Sequence, residues 1–554
     1  MAEPHLPTTY HAHHGIPTPM SYKATVSDPD TLSYDEAVAD HDHIDEWRKS
    51  AEAEIRALES KGTWVETTQN KAKTKVIPGT WVFRRKRTPD GTIRKYKGRY
   101  CVRGDLEEGE HETYAPVVSW STVRIFLVLA LTFKWKTCSI DFSNAFVQAT
   151  LDEPVWIHVP RGFRSDLGPN ACLELKKSLY GLTRAPRLWS ELILGALTDK
   201  LGFTRSRHDS CLLYKKDIMI VLYVDDAGIA AAKESLITDL IKNLRDLGFE
   251  LTQEGSFAEF LGIKFEHDEK ENTMTLTQKG LIKKIIGATG MESCNPRWTP
   301  ANQVALGSDP DEPMMSESWS YSSIVGMLLY LSTNTRPDIA FAVSQVARFS
   351  HSPRQTHATA VKSIVRYLHR TADKGTIVTP TGDLSVDCYV DADFAGLYGR
   401  EPATNPSSVK SRTGFIIFLG GFPLLWQSKL QTEISLSTLE AEYSALSQAM
   451  RNVLPIRALL IEPVNGIGMN QAIASSIRCS VFEDNNGALL LATNQRITSR
   501  TKYFQVKWHF FWFHVVNGEV SVHKIETSEQ RADYLTKGLS RDVFEYLRRL
   551  VQGW

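Results

Sequence analysis

Residues 219–230 of the sequence are MIVLYVDDAGIA. An apolar run ends at the adjacent carboxylates Asp225 and Asp226, and a second apolar run follows them. This pattern predicts a hairpin of two buried strands whose turn holds both carboxylates at one edge of a sheet. Two such carboxylates cost free energy unless their charge is compensated. Divalent metal ions would compensate it, so the stretch predicts a metal-binding sheet edge.

A third carboxylate lies 84 residues upstream of Asp225. Residues 139–146, SIDFSNAF, predict a strand that runs into a helix, with Asp141 at the junction. If Asp141 and Asp225 lie on neighbouring strands, they could hold two Mg²⁺ ions. Such a pair of ions serves phosphoryl and nucleotidyl transfer, in which one ion activates a primer hydroxyl and the other stabilises the departing pyrophosphate.

Length, charge and cysteine content exclude several classes of protein. The 554 residues predict about three to four domains, and 42% hydrophobic with 23% charged residues is ordinary for globular proteins. Lys and Arg together number 64, as do Asp and Glu, so any nucleic-acid signal must be local. Seven scattered cysteines without a Cys-x-x-Cys pair indicate a reducing compartment. No apolar stretch is long enough to cross a bilayer, so we expect no membrane partner.

One segment carries the local charge that the whole chain lacks. Residues 71–103 contain twelve basic residues and one acidic residue. An apolar run at 80–83, a turn at 89–91 and a second run predict a hairpin. A charge run is usually a solvated face, but so basic a hairpin in a neutral protein favours contact with phosphates.

The remaining pattern divides the chain. Residues 1–38 predict a disordered lead, and apolar residues at three- and four-residue steps predict a helix from 44 to 58. Strands and helices alternate over 137–265, residues 300–380 are predicted to be mainly helical, and alternation resumes from 384. A run of Asn, Gly, Asp and Pro near 300–315 is typical of a linker.

A second set of carboxylates lies in this last region. A strand at 385–394 carries Asp391 and Asp393, and a helix with a serine and threonine cap signal carries Glu440 and Glu442. Residues 480–488 predict a strand that ends in acid at Asp484 and is followed by another helix. Asp533 precedes an amphipathic C-terminal helix. An acid at each junction predicts a mixed sheet whose carboxylates gather at one end.

The order of short motifs resembles the reverse transcriptase of copia-type long-terminal-repeat retrotransposons from about residue 45 to the C-terminus. The matching strings are GTWVF at 79–83, KGRY at 97–100, YAPVV at 114–118, IDFSNAF at 140–146, LYGLTRAPR at 179–187, YVDD at 223–226, FLGI at 260–263 and TRPDI at 335–339. The resemblance implies an α+β multidomain protein: a right-hand polymerase of fingers, palm and thumb, then a helical connection and a ribonuclease H-like mixed α/β domain. The implied bounds are 39–300 for the reverse transcriptase, 301–382 for the helical thumb or connection, and 383–554 for the last domain.

The resemblance also implies roles for polymerase residues. Asp141, Asp225 and Asp226 would be the catalytic, metal-binding carboxylates of the palm, with Asp226 bound less directly. Lys97 and Arg99 would grip the dNTP triphosphate, and Lys95 competes for the lysine role. The other implied dNTP contacts are Phe146, which would exclude a ribose 2′-hydroxyl, and Tyr180 and Gly181 beside the incoming base; plain core packing is the alternative for Phe146 and Tyr180.

In the C-terminal domain, Asp391, Glu442, Asp484 and Asp533 resemble the catalytic, metal-binding carboxylates of ribonuclease H. Asp393 and Glu440 are neighbours that compete with Asp391 and Glu442. Each site would hold two Mg²⁺, with Mn²⁺ as an alternative ion. The implied partners are an RNA template, a DNA primer, RNA–DNA hybrid and dNTPs, together with other polyprotein products such as integrase. By analogy the protein would work in a cytoplasmic virus-like particle, with nuclear steps also open.

Two departures from the family pattern leave alternatives open. Tyr503-Phe504-Gln505 follows Arg500-Thr501-Lys502, where copia-type chains commonly have His-Ile-Asp. Arg184 replaces a glutamine and would add a charge near the nucleotide site. A decayed or domesticated relic that only binds nucleic acid is therefore a second hypothesis. An RNA-dependent RNA polymerase is a third, against which Phe146 and the C-terminal acids argue.

Overall fold

A computed structural model describes residues 30–87, 93–402, 404–469, 477–494 and 506–554. Most of the predicted disordered lead, the predicted turn at 89–91 and the departure at Tyr503-Phe504-Gln505 lie outside these ranges. Within the lead, however, the chain is already folded from residue 31. There a short strand pairs with the basic hairpin, and Ser33 accepts a hydrogen bond from the Glu36 amide to cap a helix. Ordered structure thus starts before the predicted boundary at residue 38.

Twenty-one strands form five sheets in the described part of the chain. In chain order they are β1 (Thr31–Leu32), β2 (Trp64–Thr68), β3 (Gly79–Arg87), β4 (Ile93–Val102), β5 (Lys136–Phe142), β6 (Thr150–His158), β7 (Ala171–Lys177), β8 (Thr204–Arg205), β9 (Leu212–Lys215), β10 (Ile218–Tyr223), β11 (Asp226–Ala231), β12 (Leu251–Gly255), β13 (Glu259–Phe260), β14 (Ile263–Asp268), β15 (Thr273–Thr277), β16 (Thr376–Val378), β17 (Val386–Asp393), β18 (Arg412–Leu419), β19 (Phe422–Leu430), β20 (Cys479–Glu483) and β21 (Ser521–Lys524).

Helices of very different length surround these sheets. They are α1 (Tyr34–Ala39), α2 (Ile44–Ser60), α3 (Trp120–Thr132), α4 (Ala145–Gln148), α5 (Ala185–Gly195), α6 (Glu234–Asp246), α7 (Lys279–Ala288), α8 (Tyr321–Asn334), α9 (Ala340–Ala347), α10 (Gln355–Arg370), α11 (Thr438–Gly466), α12 (Asn486–Asn494), α13 (Trp512–Val516), α14 (Asp533–Thr536) and α15 (Arg541–Gln552). In the described residues, no helix is long and apolar enough to cross a membrane.

The fingers are built on two three-stranded sheets with the orders β1-β3-β4 and β2-β7-β6. Helix α2 buries Trp47, Ala51, Ile55 and Leu58 on one face, as the periodicity predicts. Its Trp47 ring packs edge-on against Phe83 of β3, with 5.5 Å between the ring centroids. The basic hairpin is therefore held by an apolar face against α2, which leaves its other face for charge.

The palm is a six-stranded antiparallel sheet with the order β12-β5-β11-β10-β9-β8. Helix α3 is almost wholly buried between this sheet and β19, since every residue from Trp120 to Leu131 is buried. The central strands β9, β10 and β11 are buried along almost their whole length, where α3, α6 and α11 pack on them, whereas the edge strands β8 and β12 are largely exposed. The predicted hairpin of two buried strands is thus β10 and β11, in the centre of the sheet.

The region after the palm is mainly helical, as predicted, with α8, α9 and α10 packed around a buried ion pair. The TRPDI string supplies it: Arg336 and Asp338 are fully buried, and their closest charged atoms are 2.8 Å apart. The Tyr367 hydroxyl donates to Asp338 at 2.6 Å, and Arg548 of α15 donates to that hydroxyl at 3.2 Å. This string therefore ties the connection to the C-terminal helix.

The C-terminal domain is a five-stranded mixed sheet with the order β19-β18-β17-β20-β21. The strand pairs β17–β20 and β20–β21 are parallel, and the other pairs are antiparallel. The long helix α11 packs across β17 and β18. Together these parts form the predicted fold class: a right-hand polymerase followed by a helical connection and a ribonuclease H-like mixed α/β domain.

One buried cation joins the palm to both later parts of the chain. Arg124 of α3 donates to the carbonyls of Leu424 in β19, at 2.7 Å, and of Thr333 and Asn334 in α8, at 2.8 and 2.7 Å. Its guanidinium carbon lies 4.4 Å from the centroid of the Trp426 ring. Burial lowers the pKa of Arg124 to about 9. Its charge is offset by carbonyl dipoles and an aromatic face rather than by a carboxylate.

Substitution of Arg124 by methionine should loosen this junction. The three carbonyls would lose their donor, and a buried acceptor without a partner costs about 1–3 kcal/mol. We expect the free energy of unfolding in urea to fall by about 3 kcal/mol or more. The matched control Arg56→Met, on a side chain that is 78% exposed, should change it by less than about 0.5 kcal/mol. Equal effects of the two substitutions would contradict the role assigned to Arg124.

Candidate active sites

Strand register brings the predicted palm carboxylates together. Asp226 begins β11 and lies directly opposite Asp141 of β5, while Tyr223 faces Asp226 across the β10–β11 turn. The turn residue Val224 has a φ of 55°, a strained value for a β-branched residue. The Phe142 amide donates to the Asp225 carbonyl at 2.7 Å, and the Trp189 indole donates to the Val224 carbonyl at 2.5 Å. These bonds hold the turn in its strained form.

The palm carboxylates repel one another. Burial, followed by the charges of Asp225 and Asp141, raises the pKa of Asp226 to about 7. Burial and the Asp225 charge also raise the pKa of Asp141, and the cations Lys97, Lys86 and Arg99 oppose that rise. The site thus gathers negative charge in a partly buried place, which suits divalent cations as ligands. In the described residues the three carboxylates do not, however, place three ligand atoms within 4.8 Å of one another.

The basic hairpin turns one charged face towards these acids. Its register sets Arg84 opposite Lys97 and Lys86 opposite Lys95, and alternation along the strands puts Arg99 on the same face. Lys97 is half-buried, and burial lowers its pKa, with neighbouring Arg99 and Lys86 adding to the effect. Lys95 is exposed on that face. Of the two lysines, only Lys97 is among the main charges acting on Asp141.

Between the hairpin and the palm lies an aromatic pair. The Phe146 and Tyr180 rings meet edge-on, with centroids 5.2 Å apart, and the Arg99 guanidinium carbon lies 4.8 Å from the centroid of Tyr180. Tyr180 is buried, whereas Phe146 keeps part of its surface exposed. Arg99, Tyr180 and Phe146 therefore form a continuous wall from the cationic face to the palm.

The backbone at Gly181 has no room for a side chain. Its φ is +93°, and a Cβ atom would lie 2.1 Å from the Val102 carbonyl oxygen at the end of β4. The Val102 amide donates to the Tyr180 carbonyl at 2.7 Å. This close approach of two backbones requires glycine and fixes the aromatic wall to the hairpin.

Arg184 does not add free charge to this site. It is 2% exposed and pairs with Asp152 at 2.6 Å and with Glu107 at 3.0 Å. The sequence predicted that Arg184 would add a charge near the nucleotide site, but Asp152 in β6 and Glu107 neutralise its guanidinium.

The second set of carboxylates is more compact. Asp391 on β17, Glu442 on α11 and Asp484 after β20 each offer one oxygen, and these oxygens lie within 4.8 Å of one another. Parallel β17 and β20 end at the same edge of the sheet, and α11 crosses that edge. The first turn of α11 is set by Ser437, whose hydroxyl accepts from the Glu440 amide. Three distant segments thus meet at one point.

The fourth predicted acid, Asp533, joins this cluster through its neighbours. Its carboxylate lies 3.0 Å from Nζ of Lys537, one helical turn later. Burial and the charge of Asp391 raise the pKa of Asp533 to about 7. The Thr536 hydroxyl donates to Asp391. Asp533 therefore faces the same acids from the opposite side of β17.

Three carboxylate oxygens in this cluster are buried without a hydrogen-bond partner in the described structure, one each on Glu442, Glu483 and Asp533, and the last of them is ion-paired with Lys537. Burial raises the pKa of Glu442, and the charges of Glu483, Asp391 and Asp484 add to it. Buried carboxylates of this kind need cations to balance them. The residues present therefore fit a divalent metal ion.

The two competing acids have other positions. Glu440 accepts from the Leu436 amide at 2.8 Å and so belongs to the N-terminal cap of α11. Asp393 lies opposite Arg412 at the end of β17 and faces a cavity next to the cluster. Neither contributes to the group of three close oxygens.

Sequence reasoning missed two members of this site. Glu483 is fully buried next to Asp484 and acts on Glu442, and Lys537 is the cation nearest to Asp391 and Asp533. The adjacent acid pair Glu483-Asp484 was the available signal for the first. The four-residue spacing from Asp533 to Lys537 on a helix was the signal for the second.

The chain is similar to several known proteins. Residues 62–303 match the family described as reverse transcriptase (RNA-dependent DNA polymerase). Over 90% of its length the chain is 32% identical to the Pol polyprotein from transposon RE1 of Arabidopsis thaliana, covering 33% of that protein. Over 96% of its length it is 30% identical to that of transposon TNT 1-94 of Nicotiana tabacum, covering 40%. The chain thus spans well under half of these relatives.

Among solved structures, a foamy viral protease-reverse transcriptase in complex with double-stranded DNA overlaps 87% of this chain and 70% of that chain. Its sequence identity is 12% and its TM-score is 0.47.

Substitution of Gly181 by alanine should be much more harmful than the same change at Gly248. Both glycines have nearly the same φ, +93° and +92°, but nothing lies within 4 Å of a Cβ at Gly248. Strain at positive φ costs about 1–2 kcal/mol at either position. We expect Gly181→Ala to lose about 1–3 kcal/mol more than Gly248→Ala in urea unfolding, because Val102 must also move. Equal losses would show that the backbone gap is not required.

Proposed function

The chain belongs to the reverse transcriptases of retrotransposon Pol polyproteins, and from this premise we propose that it copies RNA into DNA and also cuts the RNA strand of RNA–DNA hybrids. The polymerase would be of the copia type. One observation carries the proposal: strand register sets Asp226 against Asp141 while the cationic face of the hairpin acts on the same carboxylate. An acidic edge opposite a cationic wall suits metal-bound triphosphate.

In the polymerase site, Asp141, Asp225 and Asp226 would hold two Mg²⁺, with Mn²⁺ as an alternative. When bound, such ions supply Lewis-acid activation of the primer hydroxyl and charge balance for pyrophosphate. Lys97 and Arg99 would bind the triphosphate from the fingers. Arg99 is kept in place by the Tyr180 face beneath it, so the aromatic wall orients the donor groups before substrate arrives.

Sugar selection would depend on Phe146. Its partly exposed ring stands at the end of the aromatic wall next to the palm. A ring at that place would clash with a ribose 2′-hydroxyl, which favours dNTPs over NTPs. This preference separates the proposed activity from that of an RNA-dependent RNA polymerase.

In the C-terminal site, Asp391, Glu442, Asp484 and Asp533 would hold two further Mg²⁺ ions. Bound ions of this kind activate water and stabilise the departing 3′-oxygen. Glu483 adds charge from behind, and Lys537 orients Asp533. The substrate would be the RNA strand of a hybrid, which its 2′-hydroxyls distinguish from DNA.

The proposed units are residues 39–300 for the reverse transcriptase, 301–382 for the thumb or connection and 383–554 for the nuclease. The proposed partners are RNA template, DNA primer, RNA–DNA hybrid, dNTPs and other polyprotein products such as integrase. Work in a cytoplasmic particle, followed by nuclear steps, belongs to the same proposal. A relic that only binds nucleic acid is the outcome if both chemical tests fail.

Single substitutions should separate the two activities. Asp225→Asn removes a proposed metal ligand, so primer extension on an RNA template should fall by at least about 100-fold while cleavage of labelled hybrid RNA persists. Asp391→Asn should do the reverse. The controls are Asp246→Asn, on an exposed palm residue, and Glu440→Gln, on the helix cap. If a folded parent neither extends nor cuts with Mg²⁺ or Mn²⁺, only the nucleic-acid-binding relic is left.

The two candidate lysines can be told apart by dNTP affinity. Lys97→Gln should raise the KM for dNTP about tenfold, because the half-buried ammonium would lose its charge-assisted bonds to phosphate. Lys95→Gln, on the same face but exposed, should raise it less than about twofold, because an exposed charge is screened by solvent. Steady-state primer extension measures both values. A larger effect at Lys95 would transfer the role to that residue.

A further inference from the structure

Arg184 lies at a junction of three chain segments in the polymerase half of the molecule. Its side chain is 2% exposed, and its guanidinium pairs with Asp152 at 2.6 Å and with Glu107 at 3.0 Å. It also donates to the Glu153 carbonyl at 3.1 Å. Asp152 and Glu153 lie in β6, Glu107 follows β4, and Arg184 itself precedes α5. One buried cation thus joins both sheets of the fingers to the start of α5.

The turn after β4 packs backbone to backbone on the segment that precedes α5. A Cβ atom at Gly104 would lie 2.3 Å from the Gly181 carbonyl oxygen, so a side chain on this turn would force the two backbones apart. The Thr183 hydroxyl donates to the Glu107 carboxylate at 3.2 Å. A backbone contact and charged bonds therefore hold this segment against the end of the basic hairpin.

The same segment reaches both halves of the polymerase site. Tyr180 lies four residues before Arg184, and its ring supports the Arg99 guanidinium. Trp189 lies five residues after Arg184, and its indole donates to the Val224 carbonyl in the palm turn. Arg184 is therefore placed between the part of the chain that carries the aromatic wall and the part that supports the catalytic turn.

These ion pairs are better suited to fix positions than to add stability. Burying charges costs free energy, and well-packed apolar residues often stabilise a protein equally well. A planar guanidinium, however, bonds two carboxylates in one defined geometry. Although burial acts to raise it, the charge of Arg184 and the hydrogen bond from Arg187 lower the pKa of Asp152. Asp152 is thus ionised at neutral pH and holds both arginines, each at 2.6 Å.

We propose that Arg184 is a positioning residue of the polymerase, which keeps the aromatic wall at a fixed place relative to the palm turn and thereby sets the affinity for the incoming dNTP. The proposal rests on the dNTP contacts proposed for Arg99 and Tyr180 and adds the residue that holds them. Its physical reason is preorganisation, since a wall that is already in place loses little conformational entropy when the triphosphate binds. Because Arg184 is buried, it acts through this wall and not through contact with the substrate.

The test measures the Kd of the next dNTP on an RNA template whose DNA primer ends in a dideoxynucleotide, in Mg²⁺. This primer cannot be extended, so binding is measured apart from chemistry. Arg184→Gln removes the charge that joins the three segments, and we expect it to raise this Kd about fivefold to tenfold. The extension rate of an ordinary primer at saturating dNTP should change less than about twofold, because the register of the palm strands is set by other residues.

The matched control is Arg348→Gln. Arg348 is also mostly buried and paired with a carboxylate, that of Glu401, but it lies in the connection. Both substitutions should lower the thermal unfolding midpoint, because each leaves a buried carboxylate without its cation. Only Arg184→Gln should change the Kd for dNTP, and Arg348→Gln should leave it within about twofold of the parent.

Two milder variants cover the case in which Arg184→Gln does not fold. Arg184→Lys keeps the charge without the planar fork and should give a Kd between those of the parent and Arg184→Gln. Thr183→Val keeps every charge and removes only the hydroxyl bond to Glu107, and it should raise the Kd about twofold to threefold.

A double variant tests whether Arg184 acts through the wall. In Arg99→Gln the wall has already lost its guanidinium. Adding Arg184→Gln to that protein should therefore raise the Kd by less than about a further twofold, because the two residues serve one contact.

The proposal is overturned if Arg184→Gln, or Arg184→Lys and Thr183→Val in its place, leave the Kd within about twofold of the parent. It is also overturned if Arg348→Gln raises the Kd equally, if the effects of Arg99→Gln and Arg184→Gln multiply, or if the parent binds no dNTP. Failure of the proposed polymerase function is a different result: the parent would bind dNTP with this dependence on Arg184 but extend no ordinary primer in Mg²⁺ or Mn²⁺.

Discussion

Asp226 lies opposite Asp141 on the neighbouring antiparallel strand, and the two carboxylates repel each other. The packing of the palm and fingers must hold them together against this repulsion. The apolar residues of β10, β11 and β5 keep this register, because a slip of one residue would send every buried side chain to the other face. The strain at Val224 is maintained by bonds from Phe142 and Trp189. The packing of this buried sheet thus keeps Asp141 and Asp226 close together although their charges repel.

The fingers partly compensate the negative charge of these carboxylates from outside the palm sheet. One face of the hairpin packs on α2 through apolar side chains such as Phe83, and the other face carries Lys97 and Arg99, which act on Asp141. The hairpin is joined to the palm where Gly181 meets Val102 without a side chain between them. The backbone contact between Gly181 and Val102 therefore helps to place the cations that compensate the charge of Asp141.

The C-terminal domain also holds several carboxylates close together, but it does so with different elements. Parallel strands end at a common edge, and a helix cap sets Glu442 over them, so acids from three segments converge. Asp391 and Glu442 are buried more deeply than Asp141 and Asp226 of the palm, and Lys537 is a cation next to Asp391 and Asp533. Arg124 links the palm to the connection and to the C-terminal sheet by buried hydrogen bonds, so both acidic sites belong to one continuous framework.

Much of this could be predicted from the sequence. Continuous apolar runs predicted the palm hairpin, and apolar residues at three- and four-residue steps predicted the buried face of α2, because local periodicity specifies which face of an element is buried. Composition placed the basic hairpin, and short acidic motifs indicated both carboxylate sets, with the resemblance supplying their roles.

What only the tertiary structure decided depends on contacts between distant segments. The neutralisation of Arg184 by Asp152 and Glu107, the position of Glu483 behind Glu442 and the separation of Glu440 from the acid cluster arise from packing across many residues. A sequence determines which residues are charged and which faces are apolar, but the cost of burying a charge is set by neighbours that only the folded chain brings together.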